Sequence, residues 1–256
     1  MLGLGKGVEL VDRAGQEYSV SNYSLSLDGT VDNYVQLTPA SGFSINDANE
    51  DLSISFWAKR TDNTSGEAVV LGLNSTNSFS RLNFDDDGDR LYIESDQDGQ
   101  IAYGAVTADT DWHHYAITMQ GVTGNSSVVT MYEDGSSVTV SNSNFGNKST
   151  GDAQFTFGRI GTSTSTSGTH AFKGLLYQVA MWKAVLDADA VAAIHNSGNP
   201  IPLQENRGNY DNARDLFHLW RFHEGSGTAT ADSNSHSLHD MPGTLVNNAT
   251  FSTTTP

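Results

Sequence analysis

Short runs in which apolar and polar residues alternate recur along most of this chain, and clusters of Gly, Asn, Asp or Ser separate them. A β-strand with one buried face has this period of two. The clearest run is LSISFWAK, in which alternate residues from Leu52 to Ala58 share one face and those from Ser53 to Lys59 share the other. The Asp-Gly pairs at 98–99 and 134–135 predict hairpin turns, because these residues accept positive φ angles. The pattern predicts an all-β protein.

One segment near the C-terminal third departs from this pattern. Alanines and Ile194 follow Asp187 and Asp189, either of which can cap the first turn of a helix, and Gly198 can end that helix in a left-handed conformation. The sequence therefore predicts one short helix over 187–197.

Ten or more predicted strands with a single helix favour a two-sheet antiparallel jelly-roll sandwich over alternating βαβ units. A chain of 256 residues fits one such sandwich. We predict a single domain over 21–256, in which residues 216–256 complete the sandwich, and an N-terminal arm over 1–20.

The charge of the chain excludes several partners. It has 13 basic and 30 acidic residues, a formal net charge of −17, and no cysteine. Nucleic acids and anionic membrane surfaces are recognised through basic patches, and disulfides and thiolate chemistry need cysteine.

No apolar run approaches the roughly 20 residues of a membrane span, and Lys6 interrupts the stretch that a secretion signal would keep uncharged. We expect no nucleic-acid partner and no membrane insertion.

Aspartates in NFDDDGDRL have a spacing that suits calcium. A bent loop can direct the oxygens of Asp85, Asp87 and Asp89 at one cation, since calcium takes six to eight oxygen ligands. An exposed acidic hairpin loop is the competing interpretation, because charge runs are usually solvated. Calcium is the cofactor that these residues would bind.

A series of motifs resembles the laminin G-like modules of the concanavalin A-like lectin/glucanase superfamily. The motifs span residues 23 to 198 and follow in order as SLSLDGTVDNYVQL, LSISFWAK, DWHHYAITM, YEDGSSV, FTFGRIG and FKGLLYQVAMWKAVLDADAVAAIHNSG. In many such modules a W-x-F-x-E-G-S-G stretch precedes the first of them, whereas here it begins at Trp220. The resemblance implies a circularly permuted jelly roll, which is feasible where chain termini lie close together.

The two ends of the chain resemble a more specific group of proteins within this family. The start MLGLG and the ending GTLVNNATFSTTTP resemble laminin G-like structural proteins of marine tailed bacteriophages. The resemblance implies a protein made in the host cytoplasm and exposed on the virion surface.

The family also implies a second calcium site. Some members bind calcium through a D-G-x-x-D loop, which Asp28 and Asp32 match, together with an acidic pair on a later strand. Tyr177 and Gln178 stand at the positions of that pair. The loss of two ligands puts a family-type calcium site in doubt.

The resemblance raises a catalytic alternative. Glu94, Asp96 and Asp98 alternate on one strand, as do the catalytic acids of the glucanases of the superfamily, in which one carboxylate attacks the sugar and another protonates the leaving oxygen. Ser95 and Gln97 separate these acids, whereas the glucanases have apolar residues there. An exposed hairpin tip competes with this interpretation.

Two neighbouring histidines and two aromatic residues are further candidates for a functional site. His113 and His114 point to opposite faces of a strand, so they cannot readily chelate one ion, and we predict structural roles, with one ring bonded to the backbone and the other near the surface. Tyr34 and Trp57 would stack on sugars if their rings face outward, and packing inside the sandwich is the alternative.

The N-terminal arm is apolar but rich in glycine, so it cannot form a stable element alone. It could order against a neighbouring subunit. Its candidate assembly residues are Leu2, Leu4, Val8, Leu10 and Val11.

We predict a non-enzymatic virion structural protein of a tailed phage, in capsid decoration or in a head or tail appendage. Its partners would be other virion proteins or further copies of the chain, and adhesion to surface glycans would be an added function. The alternatives are a dedicated carbohydrate receptor-binding module and a glycoside hydrolase using Glu94 and Asp98.

Overall fold

The computed structural model describes residues 18–38, 50–61, 68–74, 79–85, 89–95, 100–122, 126–142, 144–145, 154–159, 171–234 and 240–256. The strands and the helix described below lie within those ranges.

The described residues form eighteen strands and one α-helix. The strands are β1 (Ser24–Asp28), β2 (Tyr34–Leu37), β3 (Leu52–Arg60), β4 (Ala68–Asn74), β5 (Phe79–Phe84), β6 (Arg90–Ser95), β7 (Gln100–Ala105), β8 (Trp112–Val122), β9 (Ser126–Glu133), β10 (Ser136–Val138), β11 (Val140–Ser141), β12 (Asn144–Phe145), β13 (Gln154–Phe157), β14 (Lys173–Trp182), β15 (Leu216–Trp220), β16 (Ala229–Thr230), β17 (Gly243–Val246) and β18 (Thr250–Ser252). The helix, α1, is Ala188–His195, and a 3-10 turn follows at Asn196–Gly198.

The strands form two nine-stranded sheets. Sheet A has the order β10-β9-β8-β3-β14-β1-β18, with β12 also paired to β9 and β15 to β14. Sheet B has the order β11-β7-β6-β5-β4-β13-β2-β17-β16. Every strand pair is antiparallel. The predicted all-β, two-sheet antiparallel sandwich with one short helix is confirmed.

The core lies between the sheets, and strand alternation fills it. One row of core residues runs across six strands of sheet B, each directly opposite the next, and consists of Val35, Phe157, Leu71, Leu82, Ile93 and Ala102. The even-numbered residues of β3 from Leu52 to Ala58 face the same core, as predicted. Because side chains alternate along a strand, the residues beside this row on β2, β5, β6 and β7 face away from the core, whereas Val70 on β4 joins the core at an irregularity in the pairing of β4 with β5.

The outer face of sheet A is buried as well, which the alternation did not predict. Ser53, Ser55 and Trp57 are all buried, although they lie opposite the core on β3. A second apolar cluster explains this burial, because α1 and the segment that follows it pack on this face through residues such as Leu186, Val191, Ile194, Ile201, Leu203 and Tyr210.

The helix begins where it was predicted and ends earlier. Asp187 is its N-cap and accepts a hydrogen bond from the Ala190 amide at 2.8 Å. Asn196 adopts the left-handed conformation with φ 46° and ends the helix before Gly198. The short Asn side chain tolerates this conformation better than most.

Turn predictions can be checked at one of the two Asp-Gly pairs. Asp134 and Gly135 have φ angles of 49° and 77° and join β9 to β10 in a two-residue hairpin, as predicted. The pair at 98–99 lies outside the described residues, but Ser95 pairs with Gln100 on the strands that flank it.

The last part of the chain contributes to both sheets. β15 pairs with β14, β17 with β2, and β18 with β1. The hydroxyl of Ser24 donates to the carbonyl of Thr254 at 2.7 Å, so the described C-terminal residues lie beside the first strand. The W-x-F stretch begins at Trp220, the last residue of β15, and β15 pairs with β14. The later strands β18 and β17 pair with β1 and β2.

A buried histidine and a buried aspartate fix the C-terminal segment. The Asp232 carboxylate contacts His218 Nδ1 at 2.5 Å and accepts hydrogen bonds from the amides of Leu219 and Asn234 at 3.0 and 3.2 Å. Both side chains are fully buried. This contact ties the loop after β16 to β15.

Candidate functional site

Two rows of polar and aromatic side chains lie on the outer side of sheet B, on either side of the core row. We call this surface the sheet B face. One row contains Tyr34, Asn83, Tyr92 and Tyr103, and the other contains Gln36, Thr156, Gly72, Arg81 and Glu94. These rows are bordered by Arg159, just after β13, and by three residues where β5 ends and β6 begins, namely Asp85, Asp89 and Arg90.

A pair of stacked tyrosines marks one end of the sheet B face. Tyr92 and Tyr103 lie directly opposite each other on β6 and β7, with ring centroids 5.1 Å apart and an interplanar angle of 28°. Arg90 Nη1 donates to the Tyr92 hydroxyl at 3.3 Å. Both rings are half-buried, so parts of their surfaces remain open to solvent.

An ion pair adjoins the tyrosines. Arg81 on β5 and Glu94 on β6 lie opposite each other and form a hydrogen-bonded salt bridge through Arg81 Nε and Glu94 Oε2. Their side chains are 16% and 19% exposed. The hydrogen-bonded salt bridge holds the planar guanidinium and the carboxylate in a fixed orientation at the surface.

Asn83 carries an unsatisfied acceptor between these groups. Its Nδ2 donates to the Phe84 carbonyl at 3.2 Å, whereas its Oδ1 is buried without a hydrogen-bond partner. The residue is 2% exposed. Buried polar atoms are normally hydrogen-bonded, so Asn83 Oδ1 is an exception, but its burial keeps it out of reach of a ligand on this face.

Tyr34 lies at the opposite end of the sheet B face. The Arg159 guanidinium lies 3.5 Å from the centroid of its ring and donates to the Val31 carbonyl at 3.1 Å. Thr156 Oγ1 donates to the Arg159 carbonyl at 2.6 Å, which holds the turn after β13 against the sheet. The arginine covers one side of the Tyr34 ring, and the half-buried ring lies at the surface, where its binding to sugars stays a prediction.

The prediction that Trp57 faces outward for sugar stacking is wrong. Its side chain does point away from the core, but it is 2% exposed. The rings of His114 and His195 lie 5.1 and 5.6 Å from its ring, and His195 belongs to α1. Because α1 covers this part of sheet A, Trp57 cannot stack on a ligand in this conformation.

The two neighbouring histidines point to opposite faces, as predicted, but with different surroundings from those expected. His113 contacts Asp134 Oδ2 at 2.7 Å through Nδ1 and Asp109 Oδ1 at 3.0 Å through Nε2. The hydrogen bond to Asp134 outweighs burial and raises the pKa of His113 to about 9. The ring is thus satisfied by carboxylates and not by backbone.

His114 is fully buried, and neither of its ring nitrogens has a hydrogen-bond partner. Burial, with a smaller contribution from nearby His195, lowers its pKa to about 3. The predicted structural roles fit this arrangement, and the partly exposed His113 ring lies near the surface, but neither ring bonds to the backbone as expected.

In the predicted family calcium loop, the Asp28 carboxylate has partners within the fold. Asp28 Oδ1 accepts hydrogen bonds from the amide and hydroxyl of Thr30 at 2.9 and 2.7 Å. Asp32 is exposed in the same turn. Tyr177 is buried and donates to the Ser21 carbonyl, and Gln178 donates to the Ile201 carbonyl. Both residues therefore serve packing on sheet A and do not face the Asp28 turn.

The other calcium candidates border the sheet B face. Asp85 Oδ2 and Asp89 Oδ1 lie 3.9 and 3.7 Å from the Arg90 guanidinium. Burial, followed by repulsion from Asp89, raises the pKa of Asp85. Asp87 lies outside the described residues. Within the described ranges, no group of three or more His, Asp or Glu side chains is arranged to hold a metal ion. Calcium binding stays a prediction.

Some predicted residues cannot be placed. Asp96 and Asp98 of the catalytic alternative lie outside the described residues, as do the assembly residues Leu2, Leu4, Val8, Leu10 and Val11. Of the catalytic candidates, Glu94 is described, and it is the partner of Arg81.

Sequence reasoning missed most of the sheet B face. Asn83, Tyr92, Tyr103 and Arg81 were not among the candidates. Their outward direction follows from the alternation of their strands, but their proximity depends on the register between strands. The available signal was the hairpin predicted near 98–99, which brings Tyr92 and Tyr103 onto adjacent strands.

Among the described residues, no helix has the length and apolarity to span a membrane. A search of curated proteins finds no match to this chain.

Comparison with solved structures shows the fold. A Bacteroides ovatus protein assigned a carbohydrate-binding role matches 93% of this chain with a TM-score of 0.60 and 14% identity, and this chain covers 61% of it, which is less than two thirds of its length. The heptameric SAP-like pentraxin of Limulus polyphemus matches 72% of this chain and is covered over 87% of its own, with a TM-score of 0.50 and 13% identity.

A family profile decides the classification. The laminin G profile of the concanavalin A-like lectin/glucanases superfamily matches residues 28–192, well over half of the chain. The matched range runs from the end of β1 into α1 and includes most of both sheets. The chain is therefore a laminin G-like member of the concanavalin A-like lectin/glucanases superfamily.

Proposed function

We propose that this protein is a non-enzymatic glycan-binding protein and that the sheet B face is its binding site. The observation that carries the proposal is the half-buried Tyr92–Tyr103 stack beside the partly exposed Arg81–Glu94 ion pair. Aromatic rings pack against the C–H faces of sugars, while a few fixed polar groups bind hydroxyls. The role assigned to the Bacteroides ovatus protein of the same fold supports this function.

The surroundings of Glu94 favour binding over hydrolysis. Glycoside hydrolysis usually needs a carboxylic acid that donates a proton and a second carboxylate about 5–10 Å away. Glu94 accepts a hydrogen bond from Arg81, and this partner suits a carboxylate that accepts hydrogen bonds from sugar hydroxyls. A hydrolase would turn over a polysaccharide, and Glu94→Gln would abolish that turnover.

The test is a broad glycan array probed with four proteins, once with calcium and once with chelator. The natural protein should bind glycans reproducibly. Tyr92→Phe keeps the stacking surface and should bind almost as well, whereas Tyr92→Ala should lose about tenfold in affinity. Val128→Ser, at an exposed position on β9 of sheet A, is the matched control and should bind normally.

The outcomes separate the alternatives. Equal binding by Tyr92→Ala and the natural protein would place the site elsewhere, and silence of the natural protein on the array would remove the proposed function. Loss of binding in chelator would implicate the acidic loops near Asp28 or Asp85 as a calcium site.

The more specific prediction, a structural protein on the surface of a tailed-phage virion, rests on the resemblance of the chain ends to phage proteins. We propose it as the setting in which glycan binding would serve adhesion. Mass spectrometry of purified particles would detect the protein at a fixed copy number. Deletion of residues 1–15 should lower its incorporation if the arm docks on another subunit, and unchanged incorporation would contradict that role.

A further inference from the structure

The last turn of α1 lies on two buried aromatic rings of sheet A. His195 of this turn stacks on His114 of β8, with ring centroids 6.1 Å apart and an interplanar angle of 19°, and its ring lies 5.6 Å from that of Trp57 on β3. His114 and Trp57 lie directly opposite each other on the two strands. They are 0% and 2% exposed, because the end of the helix covers them.

The rings beneath this turn are poorly provided with hydrogen bonds. Three of their nitrogen atoms have no hydrogen-bond partner among the described residues, namely Nδ1 and Nε2 of His114 and Nε1 of Trp57. A charged imidazole here would be removed from water without an acceptor, which disfavours its protonated form. Burial, with a smaller contribution from His195, lowers the pKa of His114 to about 3, and burial also lowers the pKa of His195. The docked helix therefore keeps both rings neutral near pH 7.

One carboxylate lies beside the stacked rings, and it already has a cationic partner. Asp134 Oδ1 lies 3.7 Å from His195 Nε2 and accepts a hydrogen bond from the His114 amide at 2.9 Å. Asp134 Oδ2 contacts His113 Nδ1 at 2.7 Å. Because His113 has a pKa of about 9, it is protonated near neutral pH and balances the charge of Asp134. A proton added to either stacked ring therefore places excess positive charge in the interface.

The other titratable groups on the elements that meet here have different surroundings. They are Lys59 and Arg60 of β3, Tyr115 of β8, Tyr132 and Glu133 of β9, and Asp189 of α1 with its N-cap Asp187. Lys59 pairs with Asp111, Glu133 accepts from the Thr107 amide, and the two aspartates lie at the opposite end of the helix. Tyr115 belongs to the core, and Arg60 lies over the Phe84 ring. The charges that act on His114 are those of His195 and Asp134.

The two ends of α1 are held differently. Just before its start, the Leu186 amide donates to the hydroxyl of Ser53 on β3 at 3.0 Å. After its end, Asn196, Ser197 and Gly198 have φ angles of 46°, 55° and 87°, and all three are exposed. Consecutive left-handed residues other than glycine persist only where the surrounding structure holds them. The last turn is therefore the end that can lift while the start stays attached to sheet A.

Lifting the last turn leaves the sandwich closed. The helix packs through Ala190, Val191 and Ile194, which belong to the outer apolar cluster, and the core between the sheets is a separate cluster. A helix of eight residues is not stable apart from its packing surface, so its hydrogen bonds open once the turn lifts. The opening can therefore be local to α1.

We propose that the stacked His114–His195 pair is an acid-sensitive latch, in which protonation of the rings releases the last turn of α1 from sheet A and uncovers Trp57. This inference does not depend on the proposed glycan binding. In acid, the released turn leaves Trp57 and His114 open to solvent, so this face of sheet A gains an accessible aromatic surface.

The direction of the pH dependence follows from proton uptake. The pKa of His114 is about 3 in the docked state and returns toward 6.5 when the turn is open. The open state thus binds more protons than the docked state below pH 6.5, and its population should rise roughly tenfold for each unit of pH between 6 and 4. Neutralising the rings again should re-dock the helix.

The experiment measures amide hydrogen exchange by NMR from pH 7 to pH 4, with rates expressed as protection factors so that the intrinsic pH dependence of exchange is removed. Protection of the amides from Ala192 to His195 should fall about a hundredfold between pH 6 and pH 4. Amides of β8 from Tyr115 to Met119 should keep their protection. Protection in α1 that does not change with pH would overturn the latch, as would a parallel loss in α1 and β8, which would mean global unfolding.

Variants assign the effect to the two rings. His114→Phe should lose most of the pH dependence, and the double variant His114→Phe/His195→Phe should lose all of it. His223→Gln removes an exposed histidine from a different segment and is the matched control, which should retain the full dependence. Protection of α1 at pH 7 shows whether the helix is docked in each variant. A hundredfold loss of protection that persists in a docked double variant would overturn the proposal.

Discussion

His113 and His114 are neighbours in the chain, and the fold shifts their pKa values in opposite directions. The carboxylate of Asp134 raises the pKa of His113 to about 9, and burial lowers that of His114 to about 3. A raised pKa contributes stability that is complete below the unfolded value near 6.5 and is lost as pH rises through 9. A lowered pKa costs stability as pH falls below 6.5 toward 3. The pair together therefore favours a maximum of stability near pH 6.5.

Replacing His114 by Phe should stabilise the protein in acid. The substitution removes a buried ring with two unsatisfied nitrogens, worth about 1–3 kcal/mol, and keeps an aromatic ring beside Trp57 and His195. Urea unfolding at several pH values should show a gain that grows as pH falls from 6.5 to 4. A gain independent of pH would contradict a neutral, buried His114.

Replacing His113 by Gln should have the opposite pH dependence. The loss should be on the order of 3 kcal/mol below pH 6.5, because the ion pairs with Asp134 and Asp109 disappear, and it should vanish above pH 9. The same urea series measures it. A constant loss across this range would show that packing, and not charge, is the contribution of His113.

At the scale of elements, the pairing of β14 with β3 depends on one glycine. Gly174 lies opposite Arg60 with φ +150°, and a Cβ built there would lie 2.2 Å from the Lys59 carbonyl oxygen. No neighbouring side chain can move aside to relieve this contact, since the obstructing atom belongs to the backbone. β14 also pairs with β1 and β15, so a shift here reaches the centre of sheet A.

Gly174→Ala should therefore destabilise the protein by roughly 3 kcal/mol. The matched control is Gly198→Ala, which has a positive φ of +87° but no atom within 4 Å of the added Cβ, and it should cost about 1 kcal/mol. Thermal unfolding compares the two. Equal losses would mean that backbone conformation, and not the approach of β3, fixes Gly174.

Local sequence correctly predicted the features that depend only on residues close together in the chain. The alternation of Leu52 to Ala58 predicted their core face, and Asp187 was one of the two predicted helix caps, because strand period and capping depend on residues close in the chain. The burial of Trp57 could not be predicted in this way. The residue that covers it, His195, is on a helix more than a hundred positions later.

The candidate site was predicted less well than the fold. Tyr34 was found from its outward position, but the partnership of Tyr92 with Tyr103 requires the register of β6 against β7. A two-residue turn at 98–99 would have shifted that register, whereas the observed pairing joins Ser95 to Gln100. Asp28 matched a family calcium loop by sequence, yet its carboxylate binds Thr30 of its own turn.

For the whole molecule, the proximity of Thr254 to Ser24 predicts that chain order can be changed without changing the fold. Joining residue 256 to residue 18 through a short linker and opening the exposed turn between Gly208 and Asn209 should give a folded protein. Its Tm should fall by no more than about 5 °C, which corresponds to roughly 1–2 kcal/mol.

The matched comparison is a chain that ends at Asp215. It lacks β15, β16, β17 and β18 and should not fold, because both sheets lose strands and Trp220 leaves the core. Circular dichroism and thermal unfolding distinguish the two proteins. A cooperative transition in the shortened chain, or its absence in the permuted one, would contradict the structural role of the C-terminal segment.

The pairing of β17 and β18 with β2 and β1 also has a consequence for biosynthesis. A ribosome delivers β1 and β2 first, and β18 and β17 emerge only after some two hundred further residues. During that interval one edge of each of these strands is unpaired, and unpaired edges associate readily with other chains. Nascent polypeptides of this protein should therefore depend on holding chaperones until translation has passed Ser252, and slowing the ribosome late in the message should increase aggregation.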